Sequence, residues 1–430
     1  GSTGQRMNNQ KTGMLTVLKN RNFLGLWLSQ LVSKIGDNFA VVAALVLINE
    51  LAGRAGFAVV VVATAMTIPQ LFALASGVLI DRFSRKAIMI VADILRAGII
   101  LLVLLVRTPD RLFILYLAAF ALMAAGAVYT AARNASLPNL VPEEDLLTAN
   151  ALIQATELIS LIFGAALATL VIGLTSMYTA FVVDAATFVV SALFLVTIHI
   201  PWARSAASST APRGEFGEFW HEFVDGVRYI AGNRPLLLLM AITTMASLGL
   251  SATVLLAAAY FRQLLGISPE YLGLLQATEG LGMALGAVLI SVYASWARSR
   301  QIVSVAMILL GFGILIFALA PAYWLVLVGA LIVGLCVVSA RTTLAAMTQA
   351  LVPDAHRGRV ESAMVTVIGI GTMGSLILAG LLADVLGPER VFVITGIVVL
   401  VAGVASIFAL REAEKRLLDG VNGQVQSSLE

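Results

Sequence analysis

Twelve long apolar runs, divided by short polar or charged breaks, leave this chain few ways to fold. They cover residues 24–47, 57–80, 87–106, 112–137, 146–172 and 177–198, and then, after a gap, 236–260, 272–293, 302–320, 323–351, 360–386 and 391–410. Most are long enough to cross about 30 Å of hydrocarbon as a helix. Barrel strands would alternate apolar and polar residues over about ten positions, and these runs do not alternate. Charged residues make up 12% of the chain and apolar ones 60%, against about 25% charged in soluble domains. The expected class is an all-α integral membrane protein with twelve transmembrane helices.

Lys and Arg outside the runs set the orientation, because they are retained on the cytoplasmic side. With both termini cytoplasmic, only Arg54, Arg107, Arg111, Arg262 and Arg390 fall on the outer side, out of 27 Lys and Arg in all. The net charge of +3 follows from this bias and does not signal nucleic acid as a partner. No cleavable signal peptide is expected, because the first run is too long and lacks a cleavage site. Residues 1–6 and 429–430 read as cloning remnants. Cys336, the one cysteine, has no intramolecular disulfide partner.

Between the two sets of six runs the composition changes. Residues 205–210 are rich in Ala and Ser, Pro212 and Gly214 follow, and then Phe216, Phe219, Trp220, Phe223, Val227 and Ile230 recur at helical spacing. Glu215, Glu218, Glu222 and Asp225 occupy the rest of that wheel. This reads as an amphipathic cytoplasmic helix lying on the membrane or on the protein's inner face. The expected division is a tail at 1–20, a six-helix bundle at 21–200, a linker at 201–234, a second bundle at 235–411 and a tail at 412–430. An internal echo supports the two bundles: Leu-Val-Pro followed by an acid closes both the fourth run (Pro142) and the tenth (Pro353), half a chain length apart.

Ionised groups inside the runs stand out, since one at mid-bilayer costs roughly 2.5–3.5 kcal/mol and needs a partner or a task. Lys34, Asp37 and Asn38 share a face of the first run. Either they form a self-neutralised pair, or Asp37 is a proton- or cation-binding carboxylate in a cavity. One turn separates Asp93 from Arg96 in the third run. Arg96 can hold an anionic group through its planar fork, or be bridged to Asp93 or Asp37. Asn150, Gln154 and Glu157 form a polar stripe on the fifth run, where Glu157 either exchanges protons or is held neutral between helices. Glu279 is the one deep carboxylate of the second half, beside Gly280, Gly282 and Gly286, which suit close helix packing. Asp184 and Asp384 lie nearer the outer ends and read as structural. Arg133 and Arg341 are closer to the inner interface.

No motif for covalent chemistry is present. The absence of a Walker A sequence excludes a self-contained ATP-driven pump, and His199, His221 and His356 match no zinc spacing. Neither enzymatic activity nor a cofactor or metal is expected.

The break between the second and third runs reads Gly77-Val78-Leu79-Ile80-Asp81-Arg82-Phe83-Ser84-Arg85-Lys86. This Gly-x-x-x-Asp-Arg-x-x-Arg-Lys segment resembles the signature loop of the major facilitator superfamily of secondary transporters. Ser33 to Asn38, Arg133 to Ala151 and Leu351 to Val360 are similar to a bacterial drug and siderophore exporter branch, the one holding macrolide efflux proteins and the enterobactin exporter. A Gly-Asp-Asn triplet and a basic residue in the third run also resemble the lysophospholipid transporter. That family's arginine in the seventh span has no counterpart here, and the second-half copy of the signature loop lacks its Asp.

The resemblance implies two pseudo-symmetric six-helix bundles with a substrate site between them at the midplane. It further implies a monomeric secondary-active exporter in the bacterial inner membrane, moving an amphipathic small molecule by alternating access in exchange for protons. The alternative is a lysophospholipid flippase; either way the partners are the substrate and membrane lipids. On this reading Asp37 and Glu157 couple to the proton gradient, and Asn38, Arg96, Gln154 and Glu279 contact substrate. Gly77, Asp81, Arg82, Arg85, Lys86 and Arg133 form an inner gate. There Arg133 reaches Asp81 near the start of the eleventh helix around Gly358, and Gly369, Gly371 and Gly374 permit that helix to bend.

Overall fold

The computed structural model describes residues 14–51, 83–142, 145–200, 215–260, 266, 271–293 and 299–415. These residues are almost wholly helical, with no strand among them. A short α1 (Met14–Leu18) precedes α2 (Arg21–Leu51), α3 (Arg85–Leu102), α4 (Leu112–Ser136), α5 (Leu146–Leu174) and α6 (Met177–Thr197). The second part holds α7 (Glu215–Gly232), α8 (Arg234–Tyr260), α9 (Leu272–Tyr293), α10 (Ser299–Leu319), α11 (Tyr323–Leu351), α12 (Asp354–Leu386) and α13 (Pro388–Ala409). Ten helices among the described residues are long and apolar enough to cross a membrane. A further 27 residues of helix, α8, occupy the place of the seventh run. The second run, 57–80, lies outside the described residues, as do Gly77, Asp81 and Arg82.

Local chemistry sets the helix ends. Ser84 and Ser176 cap α3 and α6 by accepting from the backbone N–H groups of Ala87 (3.2 Å) and Thr179 (3.3 Å). Between α12 and α13 the chain turns at Gly387 with φ of +86°, a conformation that favours glycine, and Pro388 starts the next helix. Proline 353 marks the start of α12, so that helix begins six residues before its apolar run.

Large apolar side chains point outward in numbers a soluble protein would not tolerate; Ile94, Leu117, Leu193, Val288, Val365 and Val385 are all more than half exposed. They are the lipid-facing surface. Buried apolar side chains form one cluster drawn mainly from α7 to α13 and two from α1 to α6, with only Leu45 and Ala277 crossing over. Pairings repeat between the halves: α2 with α6 and α8 with α13, α3 with α6 and α10 with α13, α3 with α4 and α10 with α11. This is the all-α membrane architecture of two related halves. Among the described residues the halves meet chiefly along α5 and α9, where a Cβ at Gly273 would strike Ala165 and Thr169, and one at Gly280 would strike Ile162. Without a hydrophobic force between helices in lipid, such close backbone approach holds them together.

The amphipathic segment is helical, as its spacing predicts, and it rests on protein. In α7, Ile230 is buried in the second-half core, and Phe223, Val227 and Tyr229 pack beside it. Gly226 presses on the backbone of Arg359, Asp225 lies 3.8 Å from the Arg359 guanidinium, and the Tyr229 ring stacks on His356 at 4.7 Å. The helix is therefore docked on the first turns of α12.

Candidate functional site

Ionised side chains from α2, α3 and α5 meet in one continuous network inside the first half. Glu157 Oε1 lies 3.6 Å from Lys34 Nζ, which lies 3.7 Å from Asp37 Oδ2. Asp37 Oδ1 accepts a 2.8 Å hydrogen bond from Arg96 Nη2. Arg96 Nη1 reaches Asp93 Oδ1 at 3.4 Å, and the other Asp93 oxygen accepts from the Ser191 hydroxyl of α6 at 2.6 Å. Exposure falls along the series, from 48% at Glu157 through 28% at Asp37 to 0% at Asp93. One end is open and the other sealed.

Each member is placed by a helix contact. The Asn38 side-chain amide donates to the carbonyls of Lys34 (2.9 Å) and Ser160 (3.0 Å), tying α2 to α5 so that Lys34 and Glu157 face each other. Both donors of Asn38 are thereby committed to packing, and only its carbonyl oxygen remains for a substrate. Gly36 lets α6 approach α2; a Cβ there would overlap Asp184 and Thr187. Buried Asp184 in this way comes within electrostatic reach of both Asp37 and Arg96. The guanidinium of Arg96 lies 4.0 Å over the Phe188 ring and 5.8 Å from that of Tyr129. Those rings supply a favourable face to a cation shut away from water.

Arg133 is buried in the last turn of α4. Its Nε and Nη2 donate to the Asn134 side-chain oxygen at 3.1 and 2.9 Å, and it interacts electrostatically with Glu157 and Tyr129. Counting it, four carboxyl groups (Asp37, Asp93, Asp184, Glu157) face three cations (Lys34, Arg96, Arg133). With every group ionised the network holds one more negative charge than positive, and its most exposed acid is Glu157.

Arg85 and Lys86 do something specific at the start of α3. Arg85 donates to the Ala135 carbonyl of α4, and Lys86 Nζ donates to the Val196 (2.8 Å) and Ile198 (2.7 Å) carbonyls at the end of α6. A cation there satisfies orphan carbonyls and opposes the helix dipole. The second half repeats the device: Arg300, at the start of α10, donates to the Ile407 carbonyl of α13 (3.0 Å) and pairs with Glu414 (2.7 Å). These contacts stay within one half and tie its helix ends together.

The remaining expected residues are separate. Gln154 is exposed one turn before Glu157, and Asp384 is exposed on α12. Glu279 is buried on α9 and joins none of these contacts. Sequence reading missed the parts of the network that are uncharged: Ser191, Phe188, Tyr129 and Ser160. It also missed Gln30, buried one turn before Lys34 with neither amide atom hydrogen-bonded. Polar residues at helical spacing from the charges were the available signal for Gln30 and Ser160.

Comparison with known proteins agrees with this architecture. The family model described as transmembrane secretion effector matches residues 12–426. Macrolide efflux protein A of Streptococcus pyogenes is 24% identical over 386 residues, covering 88% of this chain and 93% of that protein. Multidrug efflux pump Tap of Mycobacterium tuberculosis is 28% identical over 397 residues, covering 89% and 93%. The crystal structure of nucleoside transporter NupG superposes with a TM-score of 0.73 at 14% identity, covering 90% of this chain and 99% of that one, and so shares the fold.

Proposed function

Since the chain belongs to the transmembrane secretion effector family of major facilitator transporters, we propose that it is a secondary-active exporter of an amphipathic, drug-like or siderophore-like molecule. It works by alternating access in exchange for protons, in a bacterial inner membrane, with both termini cytoplasmic. The relatives that are named as efflux proteins support the direction and substrate class. The network's surplus carboxyl carries the coupling: a group that must take up a positive charge to be neutral is what a proton-driven cycle needs.

On this reading Asp37 and Glu157 exchange protons at the open end, while Lys34 and Arg96 hold Asp37 between two cations. Protonation of Asp37 weakens its hold on Arg96, and with it the tie between α2 and α3. Gln154 and the remaining Asn38 oxygen offer polar contacts to substrate, while Arg96 is held by Asp37 and Asp93. The inner gate comprises Gly77, Asp81, Arg82 and Arg133, with Arg85 and Lys86 keeping the inner end of the first half rigid so that it moves as a unit.

Purified protein in proteoliposomes tests the function. Ethidium transport that requires a proton gradient, with no movement of labelled lysophospholipid, is the expected result. Gradient-independent lysophospholipid movement without ethidium transport would replace it with the flippase reading.

A further inference from the structure

Beyond Gly280 the two halves part. On α9, Gly273 presses on Ala165 and Gly280 on Leu161 and Ile162, so α5 and α9 run antiparallel. Toward the N-terminus of α5, Asn150, Gln154 and Glu157 are exposed, and so are Ala287, Val288 and Leu289 toward the C-terminus of α9. At about 100° per residue the α5 trio falls across the helix from Phe163, Leu170 and Leu174, which are exposed to lipid. That polar stripe therefore faces the space between the halves, with the charged network behind it.

The second half brings an uncommitted cation to the same cleft. Gly282 and Gly286 of α9 meet Leu331 and Leu335 of α11, so those two helices run parallel. Gly334 meets Glu279 and Met283, and Arg341 follows Gly334 by seven residues, two turns further along the same side. Arg341 is exposed there, away from the side that carries lipid-facing Trp324 and Val328. Among the described residues its guanidinium has neither an ion pair nor a hydrogen bond. Glu279 is the one acid on helices α8 to α11, and it is buried and not paired with Arg341. Packing against α9 sets Arg341 and Glu157 within about 6 Å of each other in depth. Each side chain leans toward its own helix N-terminus, and since α5 and α11 run in opposite directions, this brings the two charged ends closer still in depth. A guanidinium at such a place calls for an anion.

We infer that Arg341 holds an anionic group of the substrate across the cleft from Glu157, so that the site selects amphiphiles bearing both a cation and an anion. The inference rests on the exporter reading above and adds a substrate class to it: a zwitterion on an apolar body. The first-half wall carries one surplus negative charge and exposes it best at Glu157, which suits an ammonium or equivalent cation. The second-half wall offers a planar fork that takes a carboxylate through two parallel hydrogen bonds. A purely cationic molecule leaves Arg341 without a partner, and a purely anionic one leaves the surplus at Glu157. A zwitterion satisfies both walls and brings no net charge into the cleft.

The test uses two fluorescent dyes, rhodamine 110 and rhodamine 123, which differ only in that the first has a free carboxylate where the second has its methyl ester. Their binding to the full chain in detergent is followed by fluorescence anisotropy. Wild type is expected to bind zwitterionic rhodamine 110 about tenfold more tightly than cationic rhodamine 123. Arg341→Gln should erase that preference by weakening rhodamine 110 alone; unchanged affinity for rhodamine 123 then shows that the variant is folded. Arg341→Lys, which keeps the charge and loses the fork, should retain part of the preference. No preference in wild type would overturn the inference. So would an Arg341→Gln effect equal for the two dyes, which would assign Arg341 to the closing of the halves on each other. Wild type that binds both dyes with the expected preference, yet moves neither under a proton gradient in proteoliposomes, would instead overturn the exporter reading itself.

Discussion

Arg96 Nη2 stands 2.8 Å from Asp37 Oδ1, and this contact fastens α3 to α2 deep inside the first half. The same guanidinium also reaches Asp93 and lies over Phe188. One side chain therefore balances two acids and fills an aromatic slot.

Replacing Arg96 with Lys keeps the charge but loses the fork and the stacking. A single ammonium cannot serve Asp37 and Asp93 in that geometry. Arg96→Lys should cost about 1–3 kcal/mol, seen as a lower thermal unfolding midpoint of detergent-solubilised protein. An unchanged midpoint would mean that the ammonium re-forms both contacts.

The helix-end ties of Lys86 and Arg300 sit in different halves and share no partner. Lys86→Ala and Arg300→Ala should each destabilise by roughly 1 kcal/mol, and the double variant should show the sum of the two. Ethidium affinity should not change. A marked loss of affinity in Lys86→Ala would place that residue in the transport cycle instead of the scaffold.

Glycines divide by what faces them. Gly334 meets the backbone of α9, whereas Gly98 has open space where its side chain would be. Gly334→Val should destabilise by at least about 1–3 kcal/mol through overpacking, and Gly98→Ala should be close to neutral. Size-exclusion profiles before and after heating distinguish the two.

Docking of α7 on α12 depends on the burial of Ile230. Ile230→Asp should free the helix, and trypsin should then cut after exposed Arg228 faster than in wild type. The half-exposed Asp225–Arg359 pair adds little, so Asp225→Ala should leave the cleavage rate nearly unchanged. Equal rates for all three proteins would argue that α7 is held by something other than its apolar face.

Much of this was legible in the sequence. The apolar runs place the helices, because backbone groups in lipid must be satisfied within each segment. Lys34, Asp37, Arg96 and Glu157 announced themselves as charges in oil, and the structure joins all four. Which of the open readings held for Arg96 was not legible: its pairing to Asp37 depends on how α3 crosses α2, and local spacing says nothing of that. Asp184 read as a structural acid near the outer end, yet Gly36 on another helix lets it reach the network. Ser191, Phe188 and Tyr129 were invisible for a related reason, since uncharged residues in apolar runs gain meaning only from what they touch. Arg85 and Lys86 were conspicuous, but the carbonyls they hold belong to distant helix ends that carry no sequence signal.

The most direct test of proton coupling through Asp37 compares two assays on one variant, Asp37→Asn, in ethidium-loaded proteoliposomes. Exchange of ethidium without a gradient should persist, since the site and the fold remain, while uphill accumulation driven by a pH gradient should vanish. Accumulation equal to that of wild type would show that the Asp37 charge plays no part in coupling.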